Sequence, residues 1–91
     1  MFLWDKFNRR KVRAHGIEPE EVEQALLNRA IPIHEQDADG EQRWLYYGET
    51  DARRLIAVVA TDIGDDLRVV TAYPLGTLQK RAYLRRRITG E

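Results

Sequence analysis

Residues 54–87 read RLIAVVATDIGDDLRVVTAYPLGTLQKRAYLRRR, and how they are divided decides the fold. RLIAVVAT (54–61) is apolar on both alternations, as a central strand covered on two sides should be. LRVVTAYP (67–74) is a second run of β-branched and aromatic residues, and the intervening DIGDD has turn chemistry, so the two runs make an antiparallel hairpin. Regular alternation along the second run sets Arg68 on the face of Val70 and Ala72, and Tyr73 on the other face with Val69 and Thr71. After Pro74, Gly76 and Thr77 open a helix over about Leu78 to Arg87, in which Leu78 and Ala82 can pack on the sheet while Lys80, Arg81 and Arg85-Arg86-Arg87 stay polar.

Upstream, IPIHEQ (31–36) and QRWLYYGE (42–49) supply two further strands joined by DADGE, which gives an antiparallel sheet of about four strands. Two helices precede the sheet. Asp5 caps the first, Lys6 to Ala14, with His15 in its last turn and Gly16 as a left-handed stop. Pro19 begins the second, EPEEVEQALLNRA (18–30), whose Glu18, Glu20 and Glu21 suit the positive end of the helix dipole and whose Val22, Ala25 and Leu26 form an apolar face. The expected fold is α+β: two N-terminal helices, the sheet, and a basic C-terminal helix, in a single domain over residues 1–91.

The 91 residues contain no cysteine, which excludes disulfides and thiolate metal sites, and two histidines are too few for an all-imidazole zinc site. MFLWDKFNRRKVRA (1–14) has neither a signal-peptide apolar region nor a membrane span, so a cytoplasmic protein is expected. Lys and Arg balance Asp and Glu at 15 each, but unevenly along the chain. KFNRRKVR (6–13) and KRAYLRRR (80–87) carry five basic residues apiece, whereas the acids gather in EPEEVE and in the turns. If the ends meet in space, a neutral protein acquires a local positive surface; if not, they are solvated helix faces.

Several constellations could carry chemistry. EQDADG (35–40) imitates the opening of a calcium loop, but its twelfth position is Tyr46 and strand residues follow, so a polar hairpin turn is the better reading. His15 can act as an acid or base near neutrality, or simply place a cation at a helix C-terminus. Arg43, Arg53, Arg54 and Arg68 lie on or beside neighbouring strands, which can gather guanidinium groups on one region of a sheet. Trp44, Tyr46, Tyr47 and Tyr73 offer faces for unpaired bases, or core.

In order, Trp4-Asp5, Asn8 and the basic helix, His15-Gly16, Glu20-Glu21, Arg43-Trp44, Gly48, the arginine turn before LIAVVATDIGD, and Arg68-Val69-Val70 make most of the chain resemble the BrnT family of small bacterial toxins, within the RelE-like ribonucleases. The resemblance implies a type II toxin that cleaves RNA without metal or other cofactor and so inhibits translation. It also implies a ribbon-helix-helix antitoxin of the BrnA kind, with DNA bound only through that antitoxin. On this basis Arg43, Arg54 and Arg68 are phosphate ligands, His15 or Lys11 moves a proton, and Tyr73 with Lys80 lies near the scissile group. Lys11, Arg53, Arg81 and Tyr83 are further RNA contacts. The chain departs from the family where Thr71-Ala72-Tyr73 replaces Ser-Ala-Arg and Gln79-Lys80 replaces Glu-Arg. VVTAYPL is similar instead to the ending of a related group of small domains, so a non-catalytic module binding protein or nucleic acid is the alternative.

Overall fold

The structure, a computed structural model, describes residues 1–38 and 40–90. Its elements run β1 (Phe2–Leu3), α1 (Lys6–Ala14), α2 (Pro19–Leu27), β2 (Ile31–Ala38), β3 (Glu41–Glu49), β4 (Leu55–Ile63), β5 (Asp66–Pro74) and α3 (Thr77–Thr89). The four long strands form the expected antiparallel meander, with β4 central between β3 and β5. A fifth strand, β1, joins the outer edge of β5 in parallel, pairing Phe2 with Leu67 and Leu3 with Arg68, so the sheet is mixed and ordered β1-β5-β4-β3-β2. Two residues give no periodic signal; β1 forms because the chain start reaches the open edge, where the Leu67 amide donates to the Met1 carbonyl at 2.9 Å.

The caps set the helix bounds. The Asp5 carboxylate accepts from the Phe7 and Asn8 amides at 2.7 and 2.9 Å, and the Asn8 side chain accepts from the Asp5 amide at 2.8 Å, closing a reciprocal box. His15 is the C-cap of α1 and Gly16 follows at φ +75°. α2 ends at Leu27, earlier than the run to Ala30 implied, because the chain turns through Arg29 in the left-handed region at φ +59°.

Helices α1 and α2 cover one face of the sheet, burying Val12, Ile17, Val22 and Ala25 against Ile56, Val58, Ala60, Val69 and Ala72. Gly48 lets α2 approach β3 closely: a Cβ there would lie 2.8 Å from the Ala25 carbonyl oxygen. On the opposite face α3 packs against Tyr47, Ala57 and Leu75 through Tyr83, which is fully buried. Leu78 and Ala82, the residues expected to meet the sheet, are instead exposed. The Tyr83 ring fills the space, its hydroxyl donates to Glu49 at 3.2 Å and accepts from Arg87 Nε at 2.8 Å, and the Arg87 guanidinium lies over the ring. At the start of β5 on this face Arg68 is exposed, whereas Tyr73 near its end is half-buried beside the core under α3.

Candidate nucleic-acid interface

A bulge in β5 shapes this face. Pairing steps from Val59↔Thr71 to Ala60↔Val69, so Val70 is an extra residue with no partner on β4. Ala57, Val59 and Thr61 alternate onto one face of β4, and their partners are Tyr73, Thr71 and Arg68. Arg68 and Tyr73 therefore share a face, where strict alternation placed them on opposite ones. Arg43 shares it too, being two residues from Leu45, the partner of Val59.

Helix α1 lies along the same edge of β5. Buried Asn8 fixes it there, donating through Nδ2 to the Leu3 and Val69 carbonyls, each at 3.0 Å. Its Lys11 is thereby brought to Arg43 and Arg68, and the three cations line a cavity of about 80 Å³ with Asp5, Asn8 and Val70. Arg43 is mostly enclosed: its Nη2 meets Glu41 at 3.4 Å, but its Nε is buried with no hydrogen-bond partner. A buried donor of this kind costs stability unless something accepts from it. The Asp5 carboxyl is held below its ordinary range, first by the Asn8 amide, then by the Phe7 amide and the positive charges of Arg68 and Arg9, against some desolvation.

One turn beyond Lys11, His15 meets Tyr73 edge-on, with ring centroids 6.2 Å apart and planes at 62°. Burial raises the Tyr73 phenol above its ordinary value of 10.0, aided by Tyr47 and opposed by a hydrogen bond with the Gln79 side chain. The phenol is thus neutral near pH 7 and available as a donor.

The remaining expected residues lie elsewhere. Arg54 is engaged at the far end of β4, donating to the Gly16 carbonyl at 2.8 Å and to the Glu21 carboxylate at 3.3 Å. It pins the turn that carries His15 and stands apart from Arg43 and Arg68. Arg53 is exposed in the β3–β4 loop with φ +66°. Lys80 and Arg81 are exposed on α3, and Tyr83, read as an RNA contact, has no exposed surface to offer one. Tyr47 is buried in one core, while Tyr46 and Tyr73 are each half-buried against one of the two cores; of these, Tyr73 is the one beside His15. His34 is exposed on edge strand β2, opposite Leu45. The calcium-like reading depends on Asp37 and Asp39; Asp39 and the Asp37 side chain lie outside the described residues. Among the described residues, no three His, Asp or Glu side chains are grouped so as to hold a metal ion.

Two residues of the site went unread from sequence: Asn8 as the tie between α1 and β5, and Val70 as the bulge. Asn8 had a signal, since Asp5-x-x-Asn8 is the spacing of a capping box. Val70 had none, because an inserted valine looks like any other strand residue.

A mixed sheet with helices on both faces and a cationic cleft at one edge defines a small α+β protein. A family model described as the ribonuclease toxin, BrnT, of type II toxin-antitoxin systems matches residues 4–76, which hold β2 to β5 and both N-terminal helices. The chain belongs to this family of ribonuclease toxins, whose type II systems pair each toxin with an antitoxin. Among solved structures, the crystal structure of the Brucella abortus ribonuclease toxin BrnT is similar in fold, with a TM-score of 0.63 at 24% identity over 85% of this chain and 99% of that one. No curated protein matches. Among the described residues, no helix is long and apolar enough to cross a membrane.

Proposed function

We propose that this toxin is a metal-independent endoribonuclease whose phosphate site is the Lys11–Arg43–Arg68 cleft, and that RNA cleavage there inhibits translation. The buried, unpartnered Nε of Arg43 carries the reading: a phosphate oxygen is the acceptor it lacks.

Cleavage without metal uses the substrate's own 2′-hydroxyl. It loses its proton to a base and attacks the adjacent phosphorus; the bond to O5′ breaks, O5′ takes up a proton, and a 2′,3′-cyclic phosphate and a 5′-hydroxyl result. Negative charge builds on the phosphoryl oxygens in the transition state, where Arg43 and Arg68 can meet it with fixed, planar donors. Lys11 and His15 stand at i and i+4 on α1, about 5–6 Å apart at Cβ, so either can exchange a proton with a group at the cleft rim. Arg68 and Tyr73 are on the order of 15 Å apart along β5, which suits Tyr73 to stack or hydrogen-bond a neighbouring nucleotide rather than the same phosphate. Arg54 serves by holding the Gly16 turn and with it His15. The partner is a ribbon-helix-helix antitoxin, DNA is met only through it, and the pair works in the cytoplasm.

End-labelled single-stranded RNA incubated with the purified protein tests this directly. Cleavage unchanged by EDTA, with a 2′,3′-cyclic phosphate product and a loss of about 10²-fold or more in Arg43→Ala and Arg68→Ala, is expected. No cleavage by the folded wild type, or cleavage abolished by EDTA, would overturn it. Tyr73, standing where the family has an arginine, favours the non-catalytic alternative, for which RNA would be bound and left intact.

A further inference from the structure

We infer that the outward face of α3 is the docking surface for an acidic, amphipathic helix of the antitoxin; this rests on reading the chain as the toxin of a type II pair. α3 is an unusual surface helix. At 100° per residue from buried Tyr83, Leu84, Ile88, Arg81, Arg85 and Leu78 fall between roughly 100° and 220°, which is the side turned away from the sheet. Leu78, Leu84 and Ile88 are 77%, 50% and 84% exposed. A helix that is apolar on its solvent side as well as its core side is one that expects a second cover.

Charge says what the cover is. Thr77–Thr89 contains five basic residues, Lys80, Arg81, Arg85, Arg86 and Arg87, and no acid. Arg86 and Arg87 are used internally, donating to the Pro32 and Asn28 carbonyls at 3.4 and 2.7 Å. The guanidinium groups of Arg81 and Arg85, on the outward side, make no hydrogen bond or ion pair within the described chain. An α-helix with leucine-like residues at i, i+3 and i+4 spacing and flanking Asp or Glu would cover the aliphatic side chains and pair with both arginines. RNA would leave Leu84 and Ile88 uncovered and would find no aromatic ring on this side to stack upon. α3 follows the residues matched by the family model, 4–76, so the proposal is carried by this chain's own α3.

The test uses the full-length chain and the purified protein encoded immediately beside it, with binding measured by calorimetry. Leu84→Ser/Ile88→Ser and, separately, Arg85→Glu are expected to weaken binding about tenfold or more, while Arg85→Lys, which keeps the charge, stays near wild type. All these positions are exposed, and circular dichroism melts confirm that each variant folds. Binding within about twofold of wild type in both weakened variants overturns the proposal. So does unchanged antitoxin affinity accompanied by lost binding to single-stranded RNA or to phosphatidylglycerol vesicles, which would make the face a nucleic-acid or membrane surface. The readout is independent of catalysis: a wild type that cuts no RNA but loses its partner in these variants defeats the ribonuclease reading and leaves this one standing.

Discussion

Arg43 shows how a single residue can be costly to the fold and useful to the site. Its Nε is buried without an acceptor, and its one ion pair, to Glu41, is long at 3.4 Å. Replacing it by methionine removes the unsatisfied donor and keeps most of the side-chain volume. Arg43→Met is therefore expected to be more stable than wild type by about 1 kcal/mol in urea unfolding, and to lose RNA cleavage by about 10²-fold or more. A destabilised Arg43→Met would mean that the guanidinium is already satisfied without ligand. Tyr73 makes a second residue-scale prediction, through pH. Its folded pKa is raised, chiefly by burial, so its contribution to stability is fully present below the unfolded value of about 10 and is lost as pH rises through the folded value. Melting temperatures taken from pH 8 upward should show wild type falling relative to Tyr73→Phe once pH passes about 10, with the fall levelling off beyond the folded value. A constant gap between the two would place the phenol in water.

At the scale of elements, close packing of α2 on β3 depends on Gly48. With a Cβ only 2.8 Å from the Ala25 carbonyl oxygen and 3.1 Å from the Ala25 Cβ, Gly48→Ala must push helix and strand apart. A cost of about 1–3 kcal/mol is expected, seen as a lower urea midpoint at unchanged slope. The elements also show what the sequence could and could not convey. The bounds of α1 were legible because Asp5 and Gly16 act locally, through a side-chain cap and a left-handed stop. The central hairpin was legible from the two-sided apolar run of β4 and the Gly64 turn, at φ +61°. β1 was not, since two residues become a strand only when tertiary structure brings them to an unpaired edge. The inward face of α3 was misread because leucine outranks tyrosine in an apolar stripe, while the space over Tyr47 and Leu75 takes a ring whose hydroxyl has Glu49 and Arg87 as partners. The bulge mattered most for the site: the residue types of Arg68 and Tyr73 were readable, but their common face depends on Val70, which no local pattern distinguishes.

For the whole molecule, a formal charge of zero means that RNA is not drawn in from a distance, and recognition has to be made at short range. The balance is achieved by spending several acids away from the cleft: Glu18 on Arg13, Glu21 on Arg54, and Asp66 on the amino terminus. Lys11 and Arg68 keep their charge facing the cavity, with Asp5 as the acid on its lining. Three cations at one cleft imply release of about three counterions, and a slope of about −2 in log affinity against log salt for a single strand. Fluorescence anisotropy of a labelled oligonucleotide, in potassium chloride from low to physiological strength, measures it. Lys11→Ala should make the slope shallower by about 0.7, because one phosphate contact is lost, whereas Arg54→Ala should leave it unchanged, its charge being already matched by Glu21. A wild-type slope much steeper than this would bring in the outer basic face of α1, where Lys6, Arg9, Arg10 and Arg13 lie together, and would make that helix a second phosphate contact rather than a solvated surface.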